Sequence, residues 1–168
     1  MCGRYTYFPG EFADLRIRWN LDGELPFFTN RYNICPSQQV PVVIAAEGRN
    51  RLAALRWGLI PSWSKDEKIG SKMINARAES LIEKPSFNSL IEARRCLILS
   101  NGFYEWRKAG ARKVPVYIYL KSQEPFAFAG LWEIWRKPDG NRLASCTIIT
   151  CGANELIAPI HNRMPVIL

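Results

Sequence analysis

The second residue of this chain is a cysteine, Met1-Cys2-Gly3. Release of Met1 would make Cys2 an N-terminal residue, with an α-amine and a thiol two carbons apart. An α-amine titrates near ~7.7–8.0 and a free thiol near ~8.5, so both nucleophiles have usable fractions at neutral pH. The amine can attack an aldehyde to give a Schiff base. The thiol can then close on the imine carbon to give a five-membered thiazolidine, a pairing no other residue type offers. Taken alone, Cys2 is more simply read as a cysteine that happens to follow the start codon.

Several further positions bear on that choice. Glu105 lies between aromatics in Phe103-Tyr104-Glu105-Trp106. In a strand, Phe103, Glu105 and Arg107 share one face, and Tyr104 and Trp106 the other. Glu105 is then either an outward glutamate or a partly desolvated carboxyl able to pass protons. His161 is the single histidine of the chain. A lone histidine is commonly structural or merely exposed, but an imidazole active near neutral pH could come from nowhere else here. Asn75 and Arg77 flank Ala76; asparagine suits an orienting role and arginine a phosphate. Arg4 stands two residues from Cys2. Trp57, Trp63, Tyr104 and Trp106 could stack bases, although Trp57 reads as core.

The elements that must position these residues are short. Gly3 to Tyr7 alternates as a strand, and Glu11 to Asn20 carries Phe12, Leu15 and Trp19 at helical spacing. Arg31 to Pro36 is too short and mixed to assign. Val40 to Ala46 and Arg51 to Trp57 form a hairpin across Glu47-Gly48-Arg49-Asn50. Gly58 to Trp63 is a stiff loop with Trp63 at its tip. Ala78 to Glu83 is a possible helical turn. Ser86 is expected to cap a helix running to about Arg94, with Phe87, Leu90 and Ile91 inward. From Arg95 onward the pattern is β: Cys96 to Leu99, Gly102 to Trp106, Val114 to Leu120, Pro125 to Trp135 and Leu143 to Cys151. A last strand begins at Arg163. Many short strands with few helices predict one α+β domain, built on a curled, mostly antiparallel sheet or open barrel.

Composition narrows the classes. The chain has 168 residues, 48% hydrophobic and 12% aromatic, which suits one globular domain and excludes disorder. It contains no apolar run of about 18 residues, so no membrane span is expected. Without a signal pattern, a cytoplasmic, nucleoid-associated place is expected. Five cysteines without a C-x-x-C pair, and one histidine, argue against a metal site or a disulfide framework. Cys96 and Cys146 read as buried thiols. A net charge of +8 suits a polyanionic partner without proving one.

Six segments in order carry a resemblance: Met1-Cys2-Gly3-Arg4-Tyr5, Arg31-Tyr32-Asn33, Arg56 to Trp63, Ile74 to Glu79, Asn101 to Trp106 and Ile160 to Pro165. Together they resemble the ordered motifs of the SOS response-associated peptidase (SRAP) domain over essentially the whole chain. The resemblance implies an abasic-site sensor on single-stranded DNA that crosslinks through Cys2, with lyase and autoprocessing peptidase activity, bacterial, monomeric and without cofactor. Carried over by position, Cys2 is the nucleophile, Asn75 orients it, and Glu105 and His161 manage protons. Arg4 and Arg77 hold phosphates, with Arg163 a weaker candidate, and Trp63 and Trp106 contact DNA bases.

Two departures stand out. Ser64 occupies a position where many relatives carry a second bulky aromatic. The chain stops at Leu168, so the domain is expected to lack the family's C-terminal segment and to leave Val166-Ile167-Leu168 as an unpaired edge. Two other readings stay open: a thiol peptidase using Cys2, His161 and Asn75, and a non-catalytic single-strand binding module.

Overall fold

The computed structural model describes residues 2–10 and 12–168, with the side chains of Phe12 and Ala13 outside that description. Met1, Glu11 at the start of the expected helix, and the side chain of Phe12 in its spacing therefore lie outside the described residues. Eleven strands and two short α-helices follow one another among the residues described. They are β1 (Arg4–Tyr7), α1 (Phe12–Trp19), β2 (Arg31–Ile34), β3 (Gln39–Ala46), β4 (Arg49–Trp57), β5 (Asn75–Arg77), α2 (Leu90–Ala93), β6 (Arg95–Ser100), β7 (Gly102–Ala109), β8 (Arg112–Ile118), β9 (Phe126–Arg136), β10 (Arg142–Gly152) and β11 (Arg163–Pro165).

The curled sheet closes. Strands β3, β4, β10, β9 and β6 pair in a ring, since β6 also pairs with β3. The β4–β10 and β5–β10 pairs are parallel and the other pairs of that sheet antiparallel. A second, four-stranded antiparallel sheet runs β2-β1-β7-β8. The α+β expectation holds, with a closed barrel in place of an open one.

The two sheets share one core. Tyr5 of β1 meets Trp57 edge-on at 5.2 Å and Phe128 at 5.6 Å. Phe103 of β7 meets Phe128 at 5.9 Å. Trp57 is fully buried, in line with its reading as core, and its Nε1 donates to the Ile74 carbonyl at 2.9 Å. That bond holds the chain leading into β5 against the barrel. Cys96 and Cys146 are buried free thiols.

Local chemistry explains several boundaries. The β3–β4 turn needs only Glu47 and Gly48, at φ of 54° and 73°, so Arg49 and Asn50 belong to β4 and the strand starts earlier than expected. Arg31–Ile34 becomes a strand because β1 supplies a partner edge. The helix expected from Ser86 is mostly absent. Turns anchored on the Lys84 carbonyl take the amides of Phe87 and Asn88, and Asn88 Oδ1 accepts from the Ser89 amide at 2.7 Å. These local bonds compete with helix, so only α2 forms. Phe87 and Leu90 still point inward.

The last three residues do not form an open edge. Val166 donates to Ile149 of β10 at 2.9 Å and accepts from Ala129 of β9 at 2.9 Å. Leu168 donates to Ala127 at 2.9 Å. This segment fills the fork where β9 and β10 diverge, pairing backbone groups on both sides.

Candidate active site

β1 brings Cys2 to the seam between the two sheets. Its side chain is fully buried, and Sγ lies 3.9 Å from the Arg4 carbonyl. Asn75, the first residue of β5, reaches across from the barrel and donates from Nδ2 to the Cys2 carbonyl at 2.9 Å. The other end of that amide, Oδ1, is buried and has no hydrogen-bond partner among the described residues. An unpaired acceptor in such a place costs about 1–3 kcal/mol, which a donor arriving there would recover.

Glu105 faces inward. Register decides this: Phe103 of β7 lies opposite the core residue Tyr5, so the Phe103–Glu105 face is the buried one. Glu105 is 2% exposed, whereas Tyr104 and Trp106 are half-buried on the other face. Burial first, and then the negative charge of Glu105, push the Cys2 thiol well above its ordinary range. The thiolate fraction expected at neutral pH is therefore suppressed in this arrangement. Cys2, Asn75 and Glu105 thus form one cluster, joined by a hydrogen bond and by charge.

His161 arrives through β11. Its Nδ1 accepts from the Arg163 amide at 3.0 Å and lies 3.3 Å from the Arg163 carbonyl oxygen, so the ring is fixed against the start of β11. β11 and β5 lie on opposite edges of β10, with Thr150 opposite both Arg77 and Pro165. The Arg163 side chain crosses β10 beneath Thr150. It donates to the Thr150 carbonyl at 2.6 Å and forks onto Glu79 at 2.7 and 2.9 Å. That fork holds the Glu79 carboxyl down to about 2. Arg163 side-chain exposure is only 14%, so this guanidinium ties the His161 segment to the segment carrying Asn75.

The remaining sequence candidates lie outside this cluster. Arg4 lies on the outer face of the four-stranded sheet and donates to Asn33 Oδ1 at 3.0 Å. Arg77 is exposed at the end of β5. Trp106 is half-buried on the Arg4 side of β7. Trp63 is 60% exposed at the loop tip. That loop is braced at both ends: Ile60 donates to Ser145 Oγ at 2.8 Å, and Trp135 Nε1 to the Ser64 carbonyl at 2.6 Å. Gly58 starts it at φ 124°, and a Cβ there would sit 2.6 Å from the Gly70 carbonyl oxygen. The part played by Glu79 was missed, since its partner lies 84 positions away. The signal within reach was its place two residues after Arg77.

The comparisons agree with this architecture. The family model of the SOS response associated peptidase (SRAP) matches residues 1–168. Abasic site processing protein YoqW of Bacillus subtilis (strain 168) is 53% identical over 171 residues, covering 100% of this chain and 76% of that protein. Abasic site processing protein HMCES of Xenopus tropicalis is 34% identical over 177 residues, covering 88% of this chain and 53% of that protein. A crystal structure of a protein from Bacteroides thetaiotaomicron superposes with a TM-score of 0.89 at 29% identity, covering 99% of this chain and 77% of the other. The chain belongs to the SRAP family.

Proposed function

We propose that this chain recognises abasic sites in single-stranded DNA and links to them covalently through Cys2 once Met1 is gone. The observation that carries the reading is the clamp on Cys2: Asn75 Nδ2 holds its carbonyl, and the buried Glu105 carboxylate lies close enough to raise its thiol. Both nucleophilic atoms of Cys2 are one or two bonds from that fixed carbonyl-bearing carbon. The names of relatives 53% and 34% identical supply the substrate class.

The ring-opened abasic sugar presents an aldehyde. The Cys2 α-amine adds to its carbon, and the carbinolamine loses water to leave an imine. His161 is the donor assigned to the departing hydroxyl. The thiol then adds to the imine carbon; its proton passes to the Glu105 carboxylate, and the imine nitrogen takes up a proton. The product is a thiazolidine, and one water has left. A raised thiol suits this order, because the amine acts first and sulfur needs its proton removed only at closure. An imine not captured by sulfur would undergo β-elimination, giving a lyase activity, and release of Met1 would be the peptidase activity. A thiol peptidase fits less well, because the two largest influences on Cys2 both raise its thiol, the reverse of what a thiolate nucleophile needs.

Arg4 and Arg77 are assigned to phosphates, and Trp63 and Trp106 to bases. Arg163 is assigned to positioning His161. Cys2→Ala and Cys2→Ser test the chemistry on denaturing gels with an abasic oligonucleotide. Alanine should give no heat-stable crosslink. Serine keeps the amine, so strand cleavage should continue without the stable ring. A heat-stable crosslink with either variant contradicts the reading.

A further inference from the structure

The outer face of the four-stranded sheet carries aromatics that the core does not use. Tyr104 of β7 and Tyr117 of β8 are directly opposite, with ring centroids 5.0 Å apart. Tyr119, just beyond β8, stacks on Tyr117 at 5.3 Å with an interplanar angle of 24°. Tyr119 is 53% exposed. Tyr117 lies across Gly102, where an added Cβ would fall 2.4 Å from its hydroxyl oxygen, and that hydroxyl bonds Thr6 at 2.8 Å. Tyr117, at the centre of the platform, is thus held from beneath, so its ring is ordered before any ligand arrives.

The same face continues as Trp106 opposite Pro115, then Lys108 opposite Lys113, both lysines exposed. Apolar rings in a line with cations at one end do not suit a purely apolar partner. They suit a chain with flat bases and a charged backbone. Arg4 is opposite Tyr104 in the register, so the face begins two residues from Cys2. Adjacent strands are ~4.8 Å apart, which puts Tyr117 about 10 Å from Arg4 across the sheet. Duplex DNA keeps its base faces stacked and cannot use such a surface.

We infer that this face is a stacking platform for the unpaired nucleotides flanking the lesion, running from Arg4 across Tyr104 and Tyr117 to Tyr119; the inference rests on the proposed function. It gives the protein an affinity for undamaged single strands that is independent of the crosslink, and a physical reason to prefer single strands over duplex.

The test is fluorescence anisotropy with an unmodified oligothymidylate about 10 nucleotides long. Tyr119→Ala should weaken binding by about five- to roughly 150-fold, the range for losing one stacked base, and Tyr119→Phe should restore it. Lys113→Ala should lower the slope of log affinity against log salt by about 0.7. The melting temperature of Tyr119→Ala confirms that it is folded. Wild-type affinity in Tyr119→Ala, or failure of Tyr119→Phe to restore it, overturns the platform. An equal loss of affinity for duplex DNA also overturns it, because the face would then be a general phosphate contact. The wild type on an abasic trinucleotide, too short to reach Tyr119, tests the crosslinking reading separately. No adduct there sinks that reading and says nothing against the platform.

Discussion

Replacing Glu105 by glutamine should move two properties of Cys2 in opposite directions. The side chain is 2% exposed, so Glu105→Gln keeps the volume and removes only the charge. The Glu105 carboxylate is a like charge acting against the Cys2 thiolate, and a neighbouring charge is worth on the order of 3 kcal/mol. Its removal should raise the thiolate population roughly a hundredfold at a fixed alkaline pH. Burial remains and is the larger cause, so the thiol stays above its ordinary range. The crosslink should nevertheless slow by about 10²- to 10⁴-fold, the usual worth of a positioned general base, because the closing sulfur has lost its proton acceptor. The thiolate ultraviolet band measured against pH, taken as a difference from Cys2→Ala, reads the first effect. Single-turnover crosslinking reads the second. If the thiolate midpoint does not fall, the carboxylate is not acting on Cys2. If crosslinking is unimpaired, Glu105 is not the acceptor.

Other perturbations follow from the same geometry. Asn75→Ala removes the bond that holds the Cys2 carbonyl and should slow crosslinking by about two- to twelvefold through that bond alone, read by the same assay; an unchanged rate would show that the clamp is idle. Glu79→Gln weakens the fork on Arg163 and should slow crosslinking by up to about a hundredfold through misplacement of His161, with a changed pH profile rather than weaker DNA binding. Gly58→Ala forces a β-carbon against the Gly70 carbonyl at positive φ and should lower stability by more than about 1 kcal/mol in urea titration. Alkaline pH should unfold the protein. Burial raises the thiols of Cys2, Cys96 and Cys146, so the folded state retains protons that the unfolded chain has lost. Stability is then fully present below about pH 8.5 and falls above it, by ~1.4 kcal/mol per pH unit for each thiol. A melting temperature that stays flat from about pH 8 to about pH 10 contradicts this, and Cys146→Ala should make the fall shallower.

Much of the positioning was legible in the chain itself. The β-branched run from Val40 and the turn at Glu47-Gly48 predicted the first hairpin, and Trp57 read correctly as core. What stayed open depended on partners far away in sequence. The alternation in Phe103-Tyr104-Glu105-Trp106 separates two faces but both carry aromatics; only pairing of Phe103 with Tyr5 decides which is inside. β2 has four residues and no pattern of its own, and exists because β1 offers an edge. The Ser86 helix failed because Asn88 and the Lys84 carbonyl satisfied the backbone locally. Arg163 was carried over only as a weaker phosphate candidate, and its fork onto Glu79, 84 positions away, could not be read locally. Barrel closure likewise needs β6 to meet β3 across more than one hairpin, which no local pattern encodes.

The most direct test of the central claim is the intact mass of the protein after incubation with an abasic single strand. The account predicts a species lacking Met1 and heavier by the mass of the whole strand less one water. It should be absent when Cys2 is alanine, and borohydride should not add two hydrogens to it, because the imine has already closed onto sulfur. A correctly processed protein that gains no strand mass would contradict the account, as would an adduct that persists in Cys2→Ala.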